Sequence, residues 1–212
     1  KTWFLSRTWT SFMIIPELIK RFVDVFAELP GIGPRQAIRL AFYLINRGKG
    51  FNEQVSSAVD SLKEITLCKN CFNITRNQSG LCDICENPKR DKAIIAIVEK
   101  ETDLMSMENT KKWNGVYLIL GDLKKTGVLD AGQKNRIEVL KDRIVRDLGG
   151  QAKEIIIAFN PTTYGDINSQ IVGKELRPLT EKISRLGRGI PTGGEIEFAD
   201  EETLSAAIER RD

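Results

Sequence analysis

Four cysteines, the only ones in the chain, stand as Cys68-Lys-Asn-Cys71 and, ten residues later, Cys82-Asp-Ile-Cys85. Two C-x-x-C knuckles whose thiolates can converge on one tetrahedral ion form the pattern of a structural zinc site, here with a connecting loop somewhat shorter than the usual ribbon spacing. The chain has no histidine, so a closed site of the usual sulfur and nitrogen type must be all-thiolate and must use all four. Such a site keeps no open coordination position; its expected task is to hold the fold together, not to catalyse. An iron–sulfur cluster and a redox pair are the competing readings. Disulfides would need an oxidising compartment, whereas the expectation for this chain is the reducing cytoplasm. Residues Phe72 to Gly80 are mostly polar with turn residues at Asn77-Gln-Ser-Gly80, which suits a small ribbon hairpin. The lack of histidine also removes Ser-His and Cys-His activation, leaving carboxylates with a metal, lysine or tyrosine for any chemistry.

At 212 residues and a net charge of +3, the chain can bury a proper core, and nucleic-acid binding would have to come from local clustering of Lys and Arg. No apolar run approaches the roughly 20 residues that span a bilayer, so a soluble protein with no membrane partner is expected. Residues 1–12 carry Trp3 and Trp9 without helical period, and the first methionine is Met13. Residues 1–12 are therefore expected to be a non-native extension, the alternative being an arm whose tryptophans dock on a partner.

From Pro16 to Leu29 the residues Leu18, Phe22, Val25, Phe26 and Leu29 recur at helical spacing, with Lys20 and Arg21 off that face. Leu29-Pro-Gly-Ile-Gly-Pro34 stops this helix and starts a second, whose stripe of Ala37, Ile38, Ala41, Phe42 and Ile45 ends at Gly48. A helix, a Gly-x-Gly turn and a helix make a helix-hairpin-helix. Gly31 and Gly33 would let the backbone approach closely, the second helix's amides would face an anion, and Arg35 and Arg39, one turn apart, would straddle a DNA phosphate. Binding of this kind reads backbone rather than sequence and weakens with salt. An ordinary helical hairpin with a solvated basic face is the rival. Asn52 is expected to cap a third helix carrying Val55, Ala58, Val59, Leu62 and Ile65.

After Cys85 strands and helices alternate. Ala93–Val98, Val116–Leu120, Glu154–Phe159 and Lys182–Leu186 read as strands of a parallel α/β sheet. Helices are expected over Thr102–Asn109, over the segment of Ile137, Leu140, Ile144 and Leu148, and over Asp166–Leu176. Ligand groups gather beyond the carboxyl ends of such strands. Glu99 stands there after the first strand and Asn160-Pro-Thr-Thr-Tyr-Gly-Asp166 after the third, so the two loops should face one another. The end of the chain should supply a strand at Glu195–Phe198 and a helix capped by Asp200.

The order of these segments closely resembles the RecR family of bacterial recombination mediators. The motifs that carry the likeness are Leu29–Pro34, the four cysteines, Ala158–Thr162 with Gly165-Asp166, and Arg185–Glu195. The resemblance implies an α/β protein with an N-terminal all-α module: a helix-hairpin-helix DNA-binding module over 13–67, a four-cysteine zinc ribbon over 68–90 and a Toprim-like parallel-sheet domain over 91–186. A C-terminal arm over 187–212 would oligomerise or complete the sheet. It further implies structural Zn2+ on Cys68, Cys71, Cys82 and Cys85, and sequence-independent binding of single- and double-stranded DNA through Arg35, Arg39 and, more weakly, Lys20 and Arg21. Homo-oligomers, dimers or tetrameric rings, would work with RecO, and with RecF in many bacteria, to load recombinase onto single-stranded DNA coated by single-strand-binding protein.

Catalytic Toprim domains carry a glutamate matched here by Glu99 and an Asp-x-Asp for which this chain has Asn160 and Thr162. Glu99 and Asp166 alone are too few for a catalytic magnesium site. Glu99, Asn160, Thr162, Gly165 and Asp166 are therefore expected to form a partner-docking face without catalysis. A magnesium-dependent Toprim enzyme acting on nucleic-acid phosphodiesters is the alternative. The loop Leu120–Gly132 departs from the family pattern in being more charged and less proline-rich.

Overall fold

A computed structural model of the chain describes residues 15–187 and 189–209. The expectations for residues 1–12 and Met13 lie outside them. The chain divides into two compact units that part after Lys63.

In the first unit Pro16 precedes helix α1 (Glu17–Phe26), and the stacked rings of Phe22 and Phe26, 3.9 Å between centroids, lie on its half-buried side. Helix α2 (Pro34–Arg47) starts with proline where a missing amide hydrogen costs nothing, and buries Ala37 and Ala41. Gly48, at φ +83°, closes α2 through its amide on the Ile45 carbonyl and opens α3 (Lys49–Ser61) directly. The third helix thus begins three residues before the expected cap. Asn52 sits in its first turn, donating its amide to the Gly48 carbonyl, because a glycine that turns the chain by itself leaves no linker to cap. The apolar stripes are only partly covered: Leu18, Val25, Leu29, Val59 and Leu62 remain exposed.

The second unit opens with the hairpin of β1 (Thr66–Leu67) and β2 (Ile74–Thr75). This hairpin encloses the first cysteine knuckle instead of lying between the two knuckles, as the sequence had suggested. The turn at Asn77–Gly80 forms as expected, with Gly80 donating to the Asn77 carbonyl. The second knuckle then enters the one-turn helix α4 (Asp83–Glu86).

The sheet follows from β3 (Asp91–Val98), β4 (Gly115–Ile119), β5 (Ala152–Ala158) and β6 (Thr180–Arg185), all parallel in the order β4-β3-β5-β6. Helices α5 (Glu101–Asn109), α6 (Ala131–Leu148) and α7 (Thr163–Leu176) make the crossovers. Strands covered on both faces must be apolar throughout, and each face has its own core. Ile95, Ile97, Leu118 and Ile155 pack with Ile137, Leu140 and Ile144 of α6 and Val172 and Leu176 of α7. Ala96, Val98, Tyr117 and Ile119 point the other way, toward Leu104 of α5 and the four cysteines. The ribbon is therefore part of the sheet's covering layer.

Helix α6 carries a capping box between Asp130 and Gln133 and ends on left-handed Gly149. Helix α7 begins at Thr163, three residues before the expected start, because the Thr162 hydroxyl accepts from the Gly165 amide and caps it. The strand expected at Glu195–Phe198 is absent. Ile196–Phe198 forms a 3-10 turn, with Phe198 donating to the Glu195 carbonyl. The alternation of Ile196 and Phe198 finds no neighbouring strand among the described residues, and both side chains face solvent. The final helix α8 (Glu201–Glu209) is capped as expected, the Asp200 carboxylate accepting from the Thr203 amide.

Candidate functional site

The hairpin brings the Cys68 amide onto the Asn73 carbonyl at 2.7 Å and the Phe72 amide onto Cys68 at 3.0 Å, while the Lys69 amide reaches Gly80 at 2.9 Å. These bonds fold the first knuckle against the second. All four sulfurs then lie within 4.8 Å of one another, every one buried. A tetrahedron with metal–sulfur bonds of about 2.3 Å has edges of about 3.8 Å, so the cluster has the size and donor set that fit a four-thiolate metal ion. The thiols are free, and Cys71 Sγ lies 3.4 Å from Cys82 Sγ, far beyond a covalent bond. Their protonation is collective: hydrogen bonds from Cys71, Cys82 and Cys85 lower the Cys68 thiol, and the bond to Cys68 raises Cys71. A divalent cation bound there would replace those protons and remove the conflict among the sulfurs.

One residue beside the cluster was not singled out from the sequence. Arg143 of α6 is only 6% exposed, and its Nη1 donates to the Asn70 carbonyl of the ribbon at 3.1 Å and to Tyr117 of β4 at 3.4 Å. Burial lowers its pKa, and the Cys85 and Cys71 thiols oppose that shift. The signal was legible in principle, since Arg143 stands three residues after Leu140 on the buried stripe of α6, where a charged side chain needs a partner. Two more contacts join ribbon and sheet. The Ile119 amide donates to the Cys71 carbonyl at 2.9 Å, and Arg136 spans from the Ile119 carbonyl to the Phe72 ring.

At the carboxyl ends of the strands, Glu99 follows β3 and Asn160 follows β5, the two central strands between which the chain order reverses. The expected meeting of the two loops occurs here. Glu99 Oε1 accepts from the Leu123 amide at 3.2 Å, Asn160 Nδ2 lies 3.5 Å from Glu99 Oε2, and Lys100 Nζ lies 3.8 Å from Oε1. Asp166, in the first turn of α7, is ion-paired with Arg185 at the end of β6. Gly165 is required by close approach, because a Cβ there would collide with the Asn160 carbonyl oxygen. Thr162 spends its hydroxyl on the α7 cap. Lys100, whose Nζ lies nearer to Asp122 (3.4 Å) than to Glu99 (3.8 Å), and Arg185, the cation on Asp166, were not picked out from the sequence as site residues.

In the first unit, the turn between α1 and α2 is held by the Ile32 amide on the Leu29 carbonyl. Gly31 has φ +78°, a left-handed conformation that favours glycine. Gly33 is in ordinary extended backbone with open space around its Cα, so its conformation does not demand glycine as Gly31's does. Arg35 and Arg39 are exposed on α2 one turn apart, and Arg21 is exposed on α1. Lys20 pairs with Glu17 at 3.4 Å. Arg35 occupies the first turn of α2, where the helix dipole disfavours a cation by about 0.3–1 kcal/mol.

This combination defines a protein built from a helix-hairpin-helix unit and a Toprim-like sheet that carries a four-cysteine centre. Among known families, residues 19–62 match the RecR helix-hairpin-helix, residues 93–187 the Toprim domain and residues 189–211 the RecR C-terminal segment. The chain is 38% identical over 198 residues to the Recombination protein RecR of Bifidobacterium animalis subsp. lactis (strain AD011), across 91% of this chain and 94% of that relative. Its identity to the Recombination protein RecR of Clostridium perfringens (strain 13 / Type A) is also 38% over 198 residues, across 92% and 96%. The chain belongs to the RecR family.

Proposed function

We propose that the protein is a cytoplasmic, non-catalytic DNA-binding mediator of recombinational repair. It works with RecO, and with RecF as a further partner, to load recombinase onto single-stranded DNA coated by single-strand-binding protein. The observation that favours this over phosphodiester chemistry is the state of the Toprim carboxylates. A hard divalent cation needs several oxygen ligands. Glu99 is instead held by a backbone amide beside Lys100 and Asn160, and Asp166 by Arg185. Glu99, Asn160, Thr162, Gly165 and Asp166 then serve as a docking face for a partner protein.

The four cysteines hold a structural zinc, which supplies folding free energy and no reaction. DNA is held by its backbone through Arg35 and Arg39 at the hairpin of Gly31 and Gly33, with Arg21 and Lys20 contributing less. The exposed apolar side chains Leu18, Val25, Val59 and Leu62 support a homo-oligomer, since large apolar surface of this kind is covered in an assembly. Among the described residues no helix is long and apolar enough to cross a membrane.

A duplex with a single-stranded gap, incubated with the protein and magnesium, tests the reading. The strands should stay intact while bound, and Arg35→Ala with Arg39→Ala should weaken binding and lower the salt slope by about 1 to 2. Cleavage that disappears in Glu99→Ala would replace the mediator by the enzyme.

A further inference from the structure

The basic face of α2 does not end at the hairpin. Arg35, Arg39, Tyr43 and Arg47 follow one another at intervals of four, and the helix contains no acidic residue. Each step of four rises about 6 Å and turns about 40°, so the four side chains form one inclined ridge about 18 Å long. Ala37 and Ala41, 0% and 4% exposed, lie on the opposite side of the helix, which leaves the ridge on the open face.

The far end of the ridge is built from aromatic groups. Phe51 of α3 meets Tyr43 edge to face, with 6.1 Å between centroids and 87° between planes. The Arg47 guanidinium lies 4.8 Å from the centre of the Phe51 ring and 6.0 Å from that of Tyr43. Two ring faces within about 6 Å attract a guanidinium that would otherwise sample many rotamers more freely. Tyr43 is nevertheless 53% exposed. A tyrosine serving only the core would be covered, whereas this one meets a single ring and keeps half of its surface open beside a cation.

An exposed aromatic between phosphate-binding arginines has a use on unpaired bases and little on a duplex, whose base faces are already stacked. We infer that the α2 ridge is a single-stranded nucleic-acid track, in which Tyr43 stacks on an unpaired base and Arg47 holds a phosphate beyond the reach of the hairpin. This inference rests on the helix-hairpin-helix reading and adds to it a preference for single strands.

The test measures fluorescence anisotropy of a labelled oligothymidine and of a duplex of equal length across a salt series. Tyr43→Leu, which keeps apolar bulk against Phe51 but cannot stack, should weaken oligothymidine binding roughly tenfold and duplex binding less than about twofold. Tyr43→Phe should restore it. Arg47→Gln should lower the single-strand salt slope by about 0.7, and Arg47→Lys should return it. Equal losses on both ligands, or no loss on either, would overturn the track. If that happened while Arg35→Ala with Arg39→Ala still weakened binding, the hairpin reading would survive. If the arginine pair also had no effect, the hairpin reading itself would fall. Thermal melts of each variant separate loss of binding from loss of fold, and a melted Tyr43→Leu leaves the decision to the Arg47→Gln and Arg47→Lys salt slopes.

Discussion

Arg143→Met removes a buried cation while keeping most of the side chain's bulk. The guanidinium makes a bond of 3.1 Å to the Asn70 carbonyl and a weaker one of 3.4 Å to Tyr117. A hydrogen bond from a charged donor contributes about 1.5–3 kcal/mol, and carbonyls left unpaired in the interior add to the loss. The substitution should therefore cost about 3–5 kcal/mol, a large share of the 5–15 kcal/mol that holds a typical domain together. At about 2–4 °C per kcal/mol for a chain of this size, the melting temperature should fall by about 6–20 °C. A second consequence is electrostatic. Four thiolates around a divalent zinc carry a net charge of about −2, and Arg143 is the buried cation next to them. Its removal should speed zinc loss to a chromophoric chelator, and Arg143→Lys should give back part of the retention but less of the melting temperature. A melt within about 1 °C of wild type, together with unchanged chelator kinetics, would refute the assignment. A lowered melt with unchanged zinc retention would reduce Arg143 to a backbone clamp.

Three further outcomes are expected. Cys82→Ser should release zinc and lower the melting temperature, as read by metal analysis of the purified variant, since ligand binding here is folding free energy. Thr162→Ala should cost about 1 kcal/mol by uncapping α7, whereas Thr162→Asp should keep the stability and leave gapped DNA uncleaved; cleavage by the aspartate variant would contradict the docking-face reading. Burial pushes the Glu108 carboxyl up, but Arg90 and the Tyr117 hydroxyl outweigh it and hold it below the ordinary range. A depressed folded pKa means that the stabilisation is full above about pH 4.3 and is lost as pH falls through the folded value. Glu108→Gln should therefore lose about 2 kcal/mol at neutral pH and show a shallower acid-unfolding limb, measured by urea melts between pH 3 and pH 7.

Long-period features were legible in the sequence. The stripe from Ile137 to Leu148, alternating with the short apolar runs of β3, β4 and β5, announces a two-sided parallel sheet, because strands covered by helices on both faces are apolar throughout. The cysteine spacing announced the cluster, and the strand order put Glu99 opposite Asn160. What escaped were choices made by single residues or by distant partners. Gly48 merges two caps into one residue, so Asn52 misled as a start signal. Glu195–Phe198 has the alternation of a strand, but a strand needs a neighbour, and periodicity does not report whether one exists. Arg143 and Arg185 find their partners 73 and 19 residues away, separations at which local pattern carries no information.

The bond from the Ile119 amide to the Cys71 carbonyl places the ribbon along the outer margin of β4. That strand, Gly115-Val-Tyr-Leu-Ile119, carries no charge and no proline, the composition of a segment prone to amyloid-like stacking once its edge is bare. A metal ion holding the four cysteines together would thereby also keep the margin of β4 covered. Oxidants or chelators that open the thiolates would turn a well-behaved protein into one that self-associates along β4, and the insoluble fraction would grow with protein concentration.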